Sequence, residues 1–174
     1  MINFDTTFLD YPSPDDIAVV CIMSGCEHHC KGCQNPLLQK VCTRTEKEIG
    51  DIIAELSDLC RRNETNKIVL SGGDPLHPSN LNLTKQICFY LGQEGEGKDI
   101  CIYTGYDISE IKEMGLSGFK FIKCGKFDCD NQQKSEKTDD FIQLVNKTQN
   151  FFDSNYNQLS REGRYYFNNG EKHD

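Results

Sequence analysis

"DIAVVCIMSGCEHHCKGCQNP", Asp16 to Pro36, joins an apolar run to three cysteines spaced C-x3-C-x2-C. The first part, Asp16 to Met23, is β-rich and shows little alternation with polar residues. A strand buried on both faces reads this way, and such strands belong to parallel sheets covered on two sides. The cysteine loop follows directly, so Cys26, Cys30 and Cys33 stand at the C-terminal end of that strand.

Outward from this stretch the pattern alternates between two periods. Thr45 and Glu48 have the S/T-x-x-E spacing of a capping box. Ile49, Ile52, Ile53, Leu56, Leu59 and Cys60 recur at helical spacing, and the helix should run to about Arg62, where "NETN" closes it. "KIVLSGG" is a second strand, Lys67 to Leu70, ending in glycines. Asn80 is placed to cap a helix carrying Leu83, Ile87 and Leu91 inward, with "GQEGEG" as its stop. "DICIYTGY" is a third strand. Asp107 to Gly115 reads as a short helix, with Asp107 at the N-cap, Glu110 three residues on and Gly115 as the C-cap. "FKFIKCGKF", Phe119 to Phe127, is a fourth strand. The order β-α-β-α-β-α-β predicts an α/β fold of parallel strands joined by right-handed crossovers. Ligand sites in such sheets gather at the C-terminal ends of the strands. The cysteine loop, "SGGDP" and "TGY" are therefore expected to converge on one edge.

After Cys129 the composition shifts. "DNQQKSEKTDD" is a charged connector, and "FIQLVNKTQNFF" regains apolar residues as one more strand or a docking arm. "LSREGRYYFNNGEKHD" is expected to be mobile at its end. The 174 residues fit one domain. We expect residues 1–153 to form it and 154–174 to be a C-terminal tail.

The formal net charge of −8 argues against a nucleic-acid partner, which would select a basic face. No secretory signal is legible at the N-terminus, and no apolar stretch approaches the ~20 residues that span a bilayer. A cytoplasmic protein with no membrane partner is expected. Thiols stay reduced there, so a close cysteine cluster points to a metal or to redox chemistry. Cys21, Cys42, Cys60, Cys88, Cys101, Cys124 and Cys129 are scattered, and for most of them small buried hydrophobes is the plain reading. Cys124 and Cys129, in "CGKFDCD", are the alternative second ligand pair.

Three thiols fit two kinds of site. One is zinc with a histidine as fourth ligand, drawn from His28, His29 or His77. His28 and His29 would strain the loop to reach the same metal, and His77 is far along the chain. The other is a four-iron cubane, in which three irons take one thiolate each and the fourth stays open for a substrate or cofactor.

With these residues in view, the sequence resembles the radical S-adenosylmethionine (SAM) superfamily. "CEHHCKGC" matches its C-x3-C-x2-C motif after the first strand. "SGGDP", Ser71 to Pro75, matches its Gly-Gly-acid-Pro turn after the second. Within the superfamily, "CEHHCKGCQNP", "SGGDPLHP", "YTGY" and "CGKF" are most similar to the activating proteins of anaerobic ribonucleoside-triphosphate reductase, from about Ala18 to Phe127. "KTQNFFD" is weakly like a C-terminal motif of that subfamily.

The resemblance implies a partial (β/α) barrel of the radical SAM type, a mostly parallel sheet with flanking helices. It implies a [4Fe–4S] cluster on Cys26, Cys30 and Cys33, with SAM chelating the open iron. An electron, from a donor such as flavodoxin, would cleave SAM to methionine and a 5′-deoxyadenosyl radical. That radical would take a hydrogen atom from a glycine on the large subunit of the anaerobic ribonucleotide reductase. Gly32 and Gln34 would line the SAM pocket; the subfamily usually has an aromatic residue where Gln34 stands. Gly72 and Gly73 would let the backbone approach closely, and Asp74 would accept a bond from the SAM ammonium. Thr104 or its neighbours would lie near the SAM carboxylate or ribose, with a plain strand-end turn as the alternative. His28 and His29 are expected to face solvent or to donate to cluster sulfurs. Two rival functions stay open: a radical SAM enzyme acting on a small molecule such as a deazapurine precursor, and a non-catalytic metal-binding module. A polar tail after the fourth strand favours a large partner completing the site.

Overall fold

The computed structural model describes residues 3–7, 10–15, 17–42 and 47–167. The strands and helices in chain order are β1 (Asn3–Thr7), β2 (Ile17–Met23), α1 (Ile49–Arg62), β3 (Lys67–Gly72), α2 (Leu81–Leu91), β4 (Asp99–Tyr103), α3 (Ile108–Glu113) and β5 (Phe121–Cys124). Four short strands follow: β6 (Glu136–Lys137), β7 (Phe141–Gln143), β8 (Asn150–Asp153) and β9 (Arg164–Tyr166). The main sheet has the order β1-β2-β3-β4-β5-β8. Its four central strands are parallel neighbours, with Cys21 beside Leu70, Leu70 beside Ile102 and Ile102 beside Ile122. Both edges are antiparallel: β1 on β2, and β8 on β5. The fold is thus mixed α/β with a mostly parallel sheet.

The unalternating strands are explained by two cores, one on each face of the sheet. Val19, Cys21, Met23, Ile68, Leu70, Ile100, Ile102 and Ile122 point to the helices, against Ile52, Leu56, Ile87, Leu91 and Ile111. The intervening residues Ala18, Val20, Val69 and Cys101 point the other way, against Tyr11, Ile142, Leu144 and Phe151. The helices α1, α2 and α3 pack on one face. The chain after β5 covers the other, where β6, β7 and β9 form a small sheet of their own. "FIQLVNKTQNFF" therefore becomes two strands in two different sheets. Arg164–Tyr166, within the expected tail, pairs with β7; residues 168–174 lie outside the described residues.

Some local expectations shift. Glu48 is the N-cap of α1, not its third helical residue, and Thr45 lies outside the described residues. Asn80 and Asp107 are N-caps as expected, Asp107 with a full capping box to Glu110. The C-cap of α3 is Met114, which leaves Gly115 one residue beyond, at φ +63°. Among the described residues no helix is long and apolar enough to cross a membrane.

Candidate functional site

Parallel orientation brings the ends of β2, β3, β4 and β5 to one edge, with Met23 beside Gly72 in register. A cleft of about 360 Å³ opens there. Cys26, Cys30 and Cys33 line one side, Ser71, Gly72 and Gly73 the floor, and Thr104 and Gly105 the end of β4. The predicted convergence of the three loops is present.

The cysteine loop is closed at its base. Gly25 N donates to Leu38 O (2.7 Å) and Cys26 N to Gln39 O (3.0 Å), while Cys33 N donates to Cys30 O (3.2 Å). All three cysteines are half-buried free thiols. Burial pushes the Cys26 thiol up, the backbone amide of His28 pulls it down, and Asp74, Cys30 and Cys33 push it further up. A metal arriving here would displace the thiol proton, since the thiolate is the ligand.

The glycines of "SGGDP" have a steric reason. A Cβ on Gly72, at φ +115°, would stand 2.3 Å from Met23 O; one on Gly73 would stand 2.6 Å from Gly25 O and from Leu38 O. The turn is pressed against the base of the cysteine loop, with Gly73 N donating to Met23 O and Asp74 N to Gly25 O, both at 2.8 Å.

Asp74 lies behind the cleft wall, 1% exposed. Its Oδ1 accepts from Leu76 N (2.8 Å), its Oδ2 from Gly105 N (2.9 Å), and Thr104 Oγ1 reaches both oxygens at 2.9 Å. His28 Nε2 lies 2.7 Å from Oδ2. A carboxylate has about four acceptor sites, and four donors of the chain fill them. The direct bond to an ammonium expected from the sequence would have to displace one.

Gln34, Gly72, Gly73 and Thr104 line the cleft. Gly32 does not; at φ +71° it turns against Cys129, where a Cβ would stand 3.0 Å from Cys129 Cβ. His29 is exposed, but the His28 side chain is only 6% exposed and bonds to Asp74 rather than to solvent. His77 Nδ1 is 2.7 Å from Ser79 Oγ. Cys124 is buried, with its pKa pushed up to about 12 by burial and then by Asp107, while Cys129 is half-buried beside Gly32.

Sequence reading missed the rest of the cleft lining beside Tyr103: Asp10, Lys123, Gly125 and Gln149. Lys123 is 7% exposed, donates to Asp10 Oδ2 at 2.8 Å and lies 4.2 Å from the centre of the Tyr103 ring. Its signal was present as one charge inside the apolar run "FIKC". Gln149, on the loop before β8, had none.

Among the described residues, the sets of three ligand-type atoms within 4.8 Å of one another are Cys26, His28, Asp74 and Asp128, Cys129, Asp130. Neither contains two of the loop cysteines, so neither draws those thiols together on one ion. Across the cleft, Gln149 Oε1 is buried with no hydrogen-bond partner among the described residues. An orphaned acceptor of this kind suits a ligand that donates hydrogen bonds.

A family model described as a 4Fe-4S single cluster domain matches residues 17–151. An anaerobic ribonucleoside-triphosphate reductase-activating protein of Vibrio cholerae is 39% identical over 111 residues, 60% of this chain and 70% of the relative. The chain belongs to the family of these activating proteins. The Escherichia coli K12 activating protein is 38% identical over 111 residues, covering 60% of this chain and 71% of the relative. That of bacteriophage T4 is 26% identical over 116 residues, 66% and 74%. No solved structure matches the chain. Membership makes an iron–sulfur cluster the cofactor of this activating protein, and the match runs from the first residue of β2 to the middle of β8.

Proposed function

We propose that this activating protein holds a [4Fe–4S] cluster on Cys26, Cys30 and Cys33 and binds SAM in the cleft beside it. Bound there, the cluster would supply the one electron for reductive cleavage of SAM, the chemistry that would generate a glycyl radical on the anaerobic ribonucleotide reductase by hydrogen-atom removal. The electron comes from a small donor such as flavodoxin, in the cytoplasm. The observation that carries this reading is the meeting of three thiols, a glycine floor and an orphaned acceptor in one cleft at the C-terminal ends of parallel strands.

The chain's own residues divide the work. Gly72 and Gly73 keep the floor free of side chains, and Thr104 lines the cleft beside them with its hydroxyl donated to Asp74. Gln34 stands on the cysteine side; Lys123, Asp10 and Gln149 give the far wall charge and hydrogen-bonding groups for the nucleoside and amino-acid ends of SAM. Gly32 serves the turn of the loop. The six-stranded sheet, with helices on one face, is on this reading a partial (β/α) barrel whose open side faces the cleft. Residues 1–153 are the radical SAM domain, and Arg164–Tyr166 beyond it pairs with β7. A cleft this open leaves a radical exposed to water, so the reductase glycine loop must close it.

The test is anaerobic reconstitution with iron and sulfide, reduction in the presence of SAM, and an assay for 5′-deoxyadenosine. Adding the reductase should yield a glycyl doublet by electron paramagnetic resonance, absent when its target glycine is alanine. Turnover of a small molecule, with no radical ever on the reductase, would overturn the assignment.

A further inference from the structure

Between Cys26 and Cys30 the loop turns one ring inward. Glu27 and His29 are exposed, yet the His28 side chain between them is 6% exposed. Its ring lies against the end of β4: a Cβ on Gly105 would stand 2.4 Å from His28 Cδ2, and the Tyr106 ring meets it edge-on at 4.5 Å. Tyr106 Oη in turn donates to Glu27 Oε1 at 2.5 Å. Two successive loop residues are thus tied to the "TGY" turn. Asp74 completes the junction. It takes His28 from the cysteine loop, Thr104 and Gly105 from the end of β4, and Leu76 from its own turn. As an ionised carboxylate only accepts, Nε2 is the protonated nitrogen and donates.

We infer that His28 and Asp74 form a latch that holds the cysteine loop in its ligating shape before metal arrives, with His28 as a positioning residue. Thiols on an unlatched loop would have to be ordered as the irons bind, and that entropy would weaken or slow loading. The latch moves the ordering into folding. A charge-assisted bond buried in this way is strong enough to matter, and Gly105 is the residue that lets the ring come close. The inference rests on Cys26, Cys30 and Cys33 being the cluster ligands. Its rival is a single ion on Cys26, His28 and Asp74, which would require the 2.7 Å His28–Asp74 bond to open.

The experiment uses the full chain under reducing, anaerobic conditions. His28→Gln keeps an N–H donor at similar reach, and His28→Phe keeps a ring without one. In the metal-free chain, alkylation of Cys26 and Cys30 by iodoacetamide is followed by mass spectrometry, with free glutathione in the same tube as the reference. We expect His28→Phe to raise those two rates about tenfold relative to glutathione, as loss of one strong bond would, and His28→Gln to restore them. After reconstitution, iron release to a chelator should follow the same order. Should His28→Phe not fold, His28→Ala gives the same comparison with His28→Gln. Unchanged rates in His28→Phe, or equal rates in the Gln and Phe variants, would overturn the latch. So would a complete loss of metal binding in all His28 variants, which would make His28 a ligand. A wild-type chain that never takes up iron and sulfide would sink the cluster reading instead, while the alkylation rates would still decide the latch.

Discussion

Replacing Asp74 by alanine should cost this protein stability first and ligand affinity second. The carboxylate is 1% exposed and takes four donors: His28 Nε2, Leu76 N, Thr104 Oγ1 and Gly105 N. A hydrogen bond to a charged group is worth ~1.5–3 kcal/mol net, and a buried donor left unpaired bears its whole desolvation cost. The His28 and Thr104 side chains can rotate towards water, but the amides of Leu76 and Gly105 cannot. Counting only those two, at a desolvation cost of about 2 kcal/mol each, gives a loss of about 4 kcal/mol, at the large end for a single substitution. For a chain of this size each kcal/mol moves the midpoint by about 2–4 °C, so Tm should fall by ~8–16 °C. The assay is thermal denaturation of the metal-free chain in reducing buffer, followed by circular dichroism. Asp74→Asn, which keeps one acceptor oxygen, should fall between. A drop of less than about 3 °C, with SAM binding weakened tenfold or more, would refute the reasoning and return Asp74 to direct ligand contact.

Cys26→Ala, Cys30→Ala and Cys33→Ala should each abolish the visible absorbance of the reconstituted protein, whereas Cys124→Ala and Cys129→Ala should keep it; an equally essential Cys129 would break the three-ligand assignment. Gly72→Ala should fail to accumulate as folded protein, because φ is +115° and the new Cβ would meet Met23 O at 2.3 Å; a soluble variant with native circular dichroism would contradict this. Stability should also fall with alkali. Cys21, Cys88 and Cys124 have pKa values pushed up to about 12 by burial, from an ordinary 9.0. Above pH 9 the unfolded chain releases protons that the native chain keeps, so each thiol lowers stability by ~1.4 kcal/mol per pH unit until the native thiol titrates. Urea midpoints of the metal-free chain that stay constant from pH 8 to 10.5 would show these thiols to be solvated.

The sequence by itself determined the elements of the central fold. β2, α1, β3, α2, β4 and α3 lie within a few residues of where the periodicities put them. Hydrophobic period and cap chemistry depend on near neighbours along the chain, which a sequence displays directly. The convergence of "CEHHCKGC", "SGGDP" and "TGY" was equally legible, since parallel strands send every following loop to one edge. Two-sided burial of β2 could be read from its lack of alternation, but not what covers its second face. That cover comes from Tyr11, Ile142, Leu144 and Phe151, which the chain brings back from before β2 and after β5. Nor could the partners of a buried polar group be read. Asp74 reads as a ligand contact in "SGGDP", yet His28 stands 46 residues before it and Thr104 30 residues after. Which donors fill a carboxylate depends on which strand ends meet, and how closely. Lys123 makes the same point, because one charge in "FIKC" names no partner until the sheet turns it towards Asp10 and the cleft. Those pairings are decided by long-range packing, and only the tertiary structure expresses it.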